Sequence, residues 1–173
     1  MKKFFLSIFV IITLFTKTAF CEEKILFIDM DRVISTSNSG VSILEQLNKI
    51  NKENIIFFNK EEKIFKEKEV KLISQKNIIS ETDFNSKVKK LKTEINDYNQ
   101  KKNKMINNFK KLKADNTNKL SMSINKILVE YSVDNSISFI LQKKNLIIGK
   151  TELDITDKII KIVNKKVSKF KVE

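Results

Sequence analysis

Residues 51–72 read NKENIIFFNKEEKIFKEKEVKL. The stretch is mostly Lys, Glu and Asn, yet its bulky apolar side chains come as pairs, Phe57-Phe58 and then Ile64-Phe65, seven residues apart. The same step carried outward meets Ile43-Leu44, Ile50-Asn51, Lys71-Leu72 and Ile78-Ile79. Seven residues is close to two helical turns, so the pairs stack on one stripe of a helix. Two positions in seven make a narrow stripe, which suits a helix leaning on one neighbour and not one wrapped by a thick core.

The neighbour follows in sequence. Ser80-Glu81-Thr82-Asp83 is a helix start, with Ser80 as cap and Asp83 three residues on. Phe84, Val88, Leu91, Ile95, Tyr98, Lys102, Met105, Phe109 and Leu112 then alternate steps of four and three, and only Lys102 breaks the apolar run. After Asn116 the phase shifts through Leu120, Ile124, Ile127 and Tyr131, as an inserted stutter would make it. The pattern predicts an antiparallel helical hairpin over residues 41–131, with a first arm about 55 Å long.

The flanks are shorter and more mixed. Ile25–Ile28 is β-prone, and Met30 to Ile34 suits a helical turn. The cluster Ser35–Gly40 offers Ser37 or Ser39 as the cap of the first arm. Ser136–Leu141 and Leu146–Gly149 read as two strands around a polar turn, and so as a β-hairpin that Ile25–Ile28 could join. Asp154-Ile155-Thr156-Asp157 should start a last helix that buries Ile155, Ile159, Ile160, Ile162, Val163 and Val167. Residues 22–40 and 132–173 are thus expected to form a small head.

At the other extreme, MKKFFLSIFVIITLFTKTAFC has a basic start, an apolar run too short to span a bilayer comfortably, and a cleavage-like site before Glu22. Residues 1–21 are expected to be a cleaved signal peptide. Its removal takes Lys2, Lys3 and Lys17, so the charge falls from +13 to +10, and the only cysteine is lost. A bacterial export route to the periplasm follows, and export conflicts with nucleic-acid binding despite the basic charge.

The 173 residues include no Pro, Trp or His and only two Gly, which favours long helices and removes most zinc and nucleophile arrangements. Asp29 and Asp31 could pass for a metal pair, but polar residues closing a strand explain them better. Neither an enzyme nor a cofactor is expected.

The order of these segments resembles the Skp (OmpH-type) periplasmic chaperones. The likeness is carried by Ile25–Val33 and Ser37–Gly40 at one end, and by Ile137–Leu141 and Asp154–Ile160 at the other. It implies an α+β fold in which a small β-rich head carries a long coiled-coil tentacle, and a jellyfish-like homotrimer. It implies a holdase that keeps unfolded outer-membrane proteins in a cavity between tentacles without ATP, and a link to lipopolysaccharide. Ile25, Phe27, Ile137, Phe139, Leu141 and Ile147 are the candidates for trimer contacts.

Charge separates the two arms. Residues 42–83 hold eight Lys and eight acids, whereas residues 84–131 hold twelve Lys and four acids, an excess of +8. Lys89, Lys90, Lys101, Lys102, Lys110 and Lys111 are candidates for attracting acidic clients or anionic lipid. Ile55-Ile56 lie off the seam and are spare apolar surface for an unfolded chain. The rival reading is a structural coiled-coil protein that bridges envelope components.

Overall fold

The computed structural model describes residues 23–172, so the expected signal peptide lies outside the described residues. The chain is mainly helical. Strand β1 (Ile25–Ile28) leads into a short helix α1 (Met30–Thr36), then into the long helices α2 (Asn38–Ser74) and α3 (Glu81–Asp134). Strand β2 (Phe139–Gln142) and the helix α4 (Thr156–Lys166) complete it. Among the described residues no helix is long and apolar enough to cross a membrane.

α1, α2 and α3 each start on a side-chain cap, whereas α4 follows Ile155 without one. Asp29 Oδ1 accepts from Arg32 N at 2.9 Å, and Ser37 Oγ accepts from Gly40 N at 3.2 Å. Ser37, not Ser39, therefore caps α2. The α1–α2 corner is so tight that a β-carbon on Gly40 would fall 1.6 Å from the carbonyl oxygen of Ile34. At the hairpin tip Ser80 Oγ accepts from Asp83 N at 3.1 Å and donates to the Asp83 carboxylate at 2.6 Å. Cap and partner are the residues the sequence predicts, although the Asp83 carboxylate takes the Ser80 hydroxyl where a full capping box would take the Ser80 backbone N–H.

The far end of α3 closes by a Schellman motif without glycine. Ile137 N donates to Ser132 O at 2.9 Å and Ser136 N donates to Val133 O at 3.3 Å, with Ser136 at φ 51°. Ile137 is thereby turned into the core, and the chain leaves along β2.

Here the structure departs from expectation. β2 does not fold back on Leu146–Ile148. It pairs in parallel with β1, in the register Ile25↔Phe139 to Ile28↔Gln142. The connection is the whole helical hairpin, as a parallel pair requires a long crossover. Residues 143–145 form a turn of 3-10 helix, and Ile147 and Ile148 are 100% and 90% exposed. Gly149 lies against the Phe27 ring, where a β-carbon would meet Cε1 at 2.8 Å. The head is thus less β-rich than expected: two four-residue strands, plus one parallel bridge between Phe27 and Asp154.

The core sits where the hairpin enters the head. Leu26 and Ile28 of β1 and Val33 of α1 meet Ile43 and Leu47 of α2. Leu120, Ile124 and Ile127 of α3 close one side, and Ile155, Ile159 and Val163 close the other. Each such side chain, once buried, contributes about 1.5–3 kcal/mol. The base of both arms is therefore part of the head's core. α4 is pinned to β1 by Ile155 N to Phe27 O at 3.0 Å and by Asp29 N to Thr156 Oγ1 at 2.9 Å. Burial opposes ionisation of Asp154, but hydrogen bonds from Thr156 and Lys143 outweigh it and lower its pKa.

Candidate functional site

Away from the head the two arms touch along a thin seam, and polar groups complete it. Tyr98 is the buried residue at mid-length. Its ring packs on Phe65 with centroids 5.3 Å apart, and its hydroxyl donates to Phe58 O at 3.3 Å and to Glu62 Oε1 at 3.1 Å. Lys102 explains its own break in the pattern. Its Nζ lies over the Phe58 ring at 5.3 Å and reaches Glu62 Oε1 at 2.6 Å. One turn nearer the tip, Lys68 bonds Glu94 at 2.6 Å and lies over Phe65 at 5.5 Å. In both cases the charged head lies over an aromatic ring and pairs with a carboxylate of the facing arm.

These pairs tune their members. The Lys102 hydrogen bond, with that of Tyr98, lowers the pKa of Glu62. Glu62 in turn raises that of Lys102. Burial, then the Glu62 bond, raises that of the Tyr98 phenol. Lys68 lowers that of Glu94.

Toward the tip the seam opens into an apolar groove. Leu72, Ile73, Phe84, Val88, Leu91 and Ile95 line a space of about 380 Å³. A second hollow of about 380 Å³ continues it past Phe65, Ile95 and Tyr98. Elsewhere along the arms bulky side chains stand in solvent, Ile55, Ile56, Val70 and Ile78, and Ile73 of the groove lining is itself 70% exposed. A two-helix hairpin has no third layer to cover them. Sequence reasoning identifies Ile55-Ile56 but misses Val70 and Ile73, which share no repeat with the paired stripe.

The six singled-out lysines do not stand alike. Lys89, Lys90, Lys101, Lys110 and Lys111 are exposed on α3, whereas Lys102 is half-buried in its ion pair. Lys101 also lies over the Phe57 ring at 4.7 Å. In the head, Phe27 and Ile137 are buried by their own chain, but Ile25, Phe139, Leu141 and Ile147 are exposed. Asp29 serves as the α1 cap and Asp31 lies in its first turn.

Residues 24–163 match a family model described as outer membrane protein (OmpH-like). No curated protein matches the chain in sequence. Among solved structures, the fold is similar to that of an OmpH-like protein of Caulobacter crescentus CB15 proposed as an outer membrane chaperone. The TM-score is 0.79 at 13% identity, covering 86% of this chain and 88% of that one.

Proposed function

We propose a function from the premise that this chain belongs to the OmpH-like outer membrane protein family. It is an exported, periplasmic holdase. It keeps unfolded outer-membrane β-barrel proteins from aggregating, without ATP and without covalent chemistry. The observation that carries this reading is the hairpin: two long arms with an open apolar groove and exposed Ile55, Ile56, Val70 and Ile73. Many weak contacts of that kind accept varied sequences. The excess of lysine on α3 draws in acidic segments, and anionic lipid or lipopolysaccharide is a second ligand for it.

Three copies work together. A two-stranded sheet is marginal alone, and the apolar outer face of this one, with Ile25, Phe139 and Leu141, is left for partner copies. The hairpins of the three then surround a client. Release needs only a better destination, such as the membrane barrel under assembly.

Light scattering tests the reading. An unfolded barrel protein diluted from denaturant should stay clear with one trimer per client and no nucleotide. Scattering equal to that of the client alone would refute it, and is what a protein that merely bridges envelope components would give.

A further inference from the structure

Past α4 the chain runs along the first turns of α2, away from the seam and its groove. Val167 leaves the helix extended, at φ −104° and ψ 114°. Ser39 Oγ donates to the carbonyl oxygens of Val167 and Ser168 at 3.1 and 3.3 Å. Farther along α2, Gln46 engages the same segment with both ends of its amide. Its Nε2 donates to Phe170 O at 2.8 Å, and its Oε1 accepts from Val172 N at 3.1 Å. From Ser39 to Gln46 the helix rises about 10 Å, and three extended residues span about 10 Å. Residues 167–172 therefore lie extended along α2 and run in its direction.

The Gln46 clamp has the geometry of a strand partner. Bonding the C=O of one residue and the N–H of the residue two further on is what a neighbour in a parallel ladder does. The side chains alternate to match. Phe170 and Val172 pack against the head's core, while Lys169 and Lys171 are exposed. Backbone bonds combined with pockets for alternate side chains are how proteins bind extended peptides of varied sequence.

We infer that the face of α2 bearing Ser39, Ile43 and Gln46 is a binding site for an extended chain with apolar side chains at alternate positions, and that residues 167–172 fill it as a displaceable internal ligand. The outside ligand is a strand-forming segment of an unfolded barrel protein, whose membrane-facing residues recur at every second position. That identity rests on the holdase reading; the site itself does not. The occupying segment lies beyond residues 24–163, which match the family model.

The test uses the full chain and a labelled peptide of sequence VSKFKV, followed by fluorescence anisotropy. Phe170→Ser with Val172→Ser should loosen the internal ligand and raise peptide affinity at least tenfold over the unaltered chain. Adding Gln46→Leu should remove that gain, and the reordered peptide KKSVFV should bind no chain as tightly. Equal affinity for all three chains, or for both peptides, overturns the site. A second readout needs no variant. In the unaltered chain the Val172 amide should exchange with solvent by local opening, well ahead of the Leu47 amide. If it exchanges only together with Leu47, the segment is fixed and the inference fails. Neither readout involves a barrel protein, so failure of the holdase reading would show separately, in the scattering assay.

Discussion

Ser136 holds φ 51° at the end of α3, where a side chain is a burden. A left-handed conformation costs an ordinary residue about 1–2 kcal/mol, and glycine is the usual occupant of that position in a Schellman motif. Ser136→Gly should therefore stabilise the chain by about 1 kcal/mol, after the greater freedom that glycine gives the unfolded state. Calorimetry should show a melting temperature higher by about 2–4 °C; a fall would mean that the serine side chain has a role of its own. Glu62 offers a second test. Its carboxyl pKa is lowered by Lys102 and Tyr98, so its ion pair stabilises the hairpin above the ordinary glutamate value of about 4.3. That contribution is lost as pH falls through the lowered value. The Lys102 pKa is raised, so its share is complete below the ordinary lysine value of about 10.4 and is lost as pH climbs through the raised one. Melting temperature should accordingly drop on acidification below about pH 4, and drop less in Glu62→Gln. Identical acid profiles for the two chains would exclude the pair as a contributor.

At the level of the element, the division between a neutral α2 and a basic α3 should appear in kinetics. Exposed charges act over a Debye length of about 8 Å at physiological salt, so they change association rates more than final affinity. Lys102 belongs to the seam and is best left in place. Replacing Lys89, Lys90, Lys101, Lys110 and Lys111 by Gln should slow capture of an acidic unfolded barrel protein and flatten its salt dependence, with helix content unchanged. Stopped-flow fluorescence at low salt measures this, and five substitutions among the α2 lysines serve as the control. Capture at the unaltered rate would reduce these lysines to a solvated face. The long helices are legible in the sequence because their signals are local: the seven-residue step of Phe57-Phe58 and Ile64-Phe65, and the Ser80–Asp83 cap. The head is less so. Leu146-Ile147-Ile148 has the composition of a strand, yet β2 finds its partner in β1, across the whole hairpin. Short apolar runs do not encode which edge they meet. Lys102 reads as a flaw in the seam until Glu62, Phe58 and Tyr98 surround it. The docking of residues 167–172 depends on Ser39 and Gln46, more than a hundred residues away, and no periodicity announces it.

At the scale of the whole molecule, the head leaves a surface that a single copy does not cover. Leu26 and Ile28 turn one face of the sheet into the core, together with Ile140. The alternate residues Ile25, Phe139 and Leu141 face the other way and are exposed, while Phe27, on that same side, is covered by the chain around Gly149. Only one edge of β2 is paired. An open edge beside exposed apolar side chains is what proteins otherwise guard against with charge or proline, and neither stands within β2. Partner copies seated there would remove the hazard and place three hairpins side by side. Phe139→Asp puts a carboxylate into that contact, where desolvation of a charge opposes assembly. Because Phe139 is 56% exposed within its own chain, the substitution should leave the head folded. Native mass spectrometry at micromolar concentration should find the unaltered chain as a trimer and Phe139→Asp largely as monomer, with the helical signal in circular dichroism nearly unchanged. The monomer should also hold an unfolded barrel protein poorly, since one hairpin offers a groove but no enclosure. A monomeric unaltered chain, or a Phe139→Asp variant that still assembles, would place any contact between copies elsewhere than on this face.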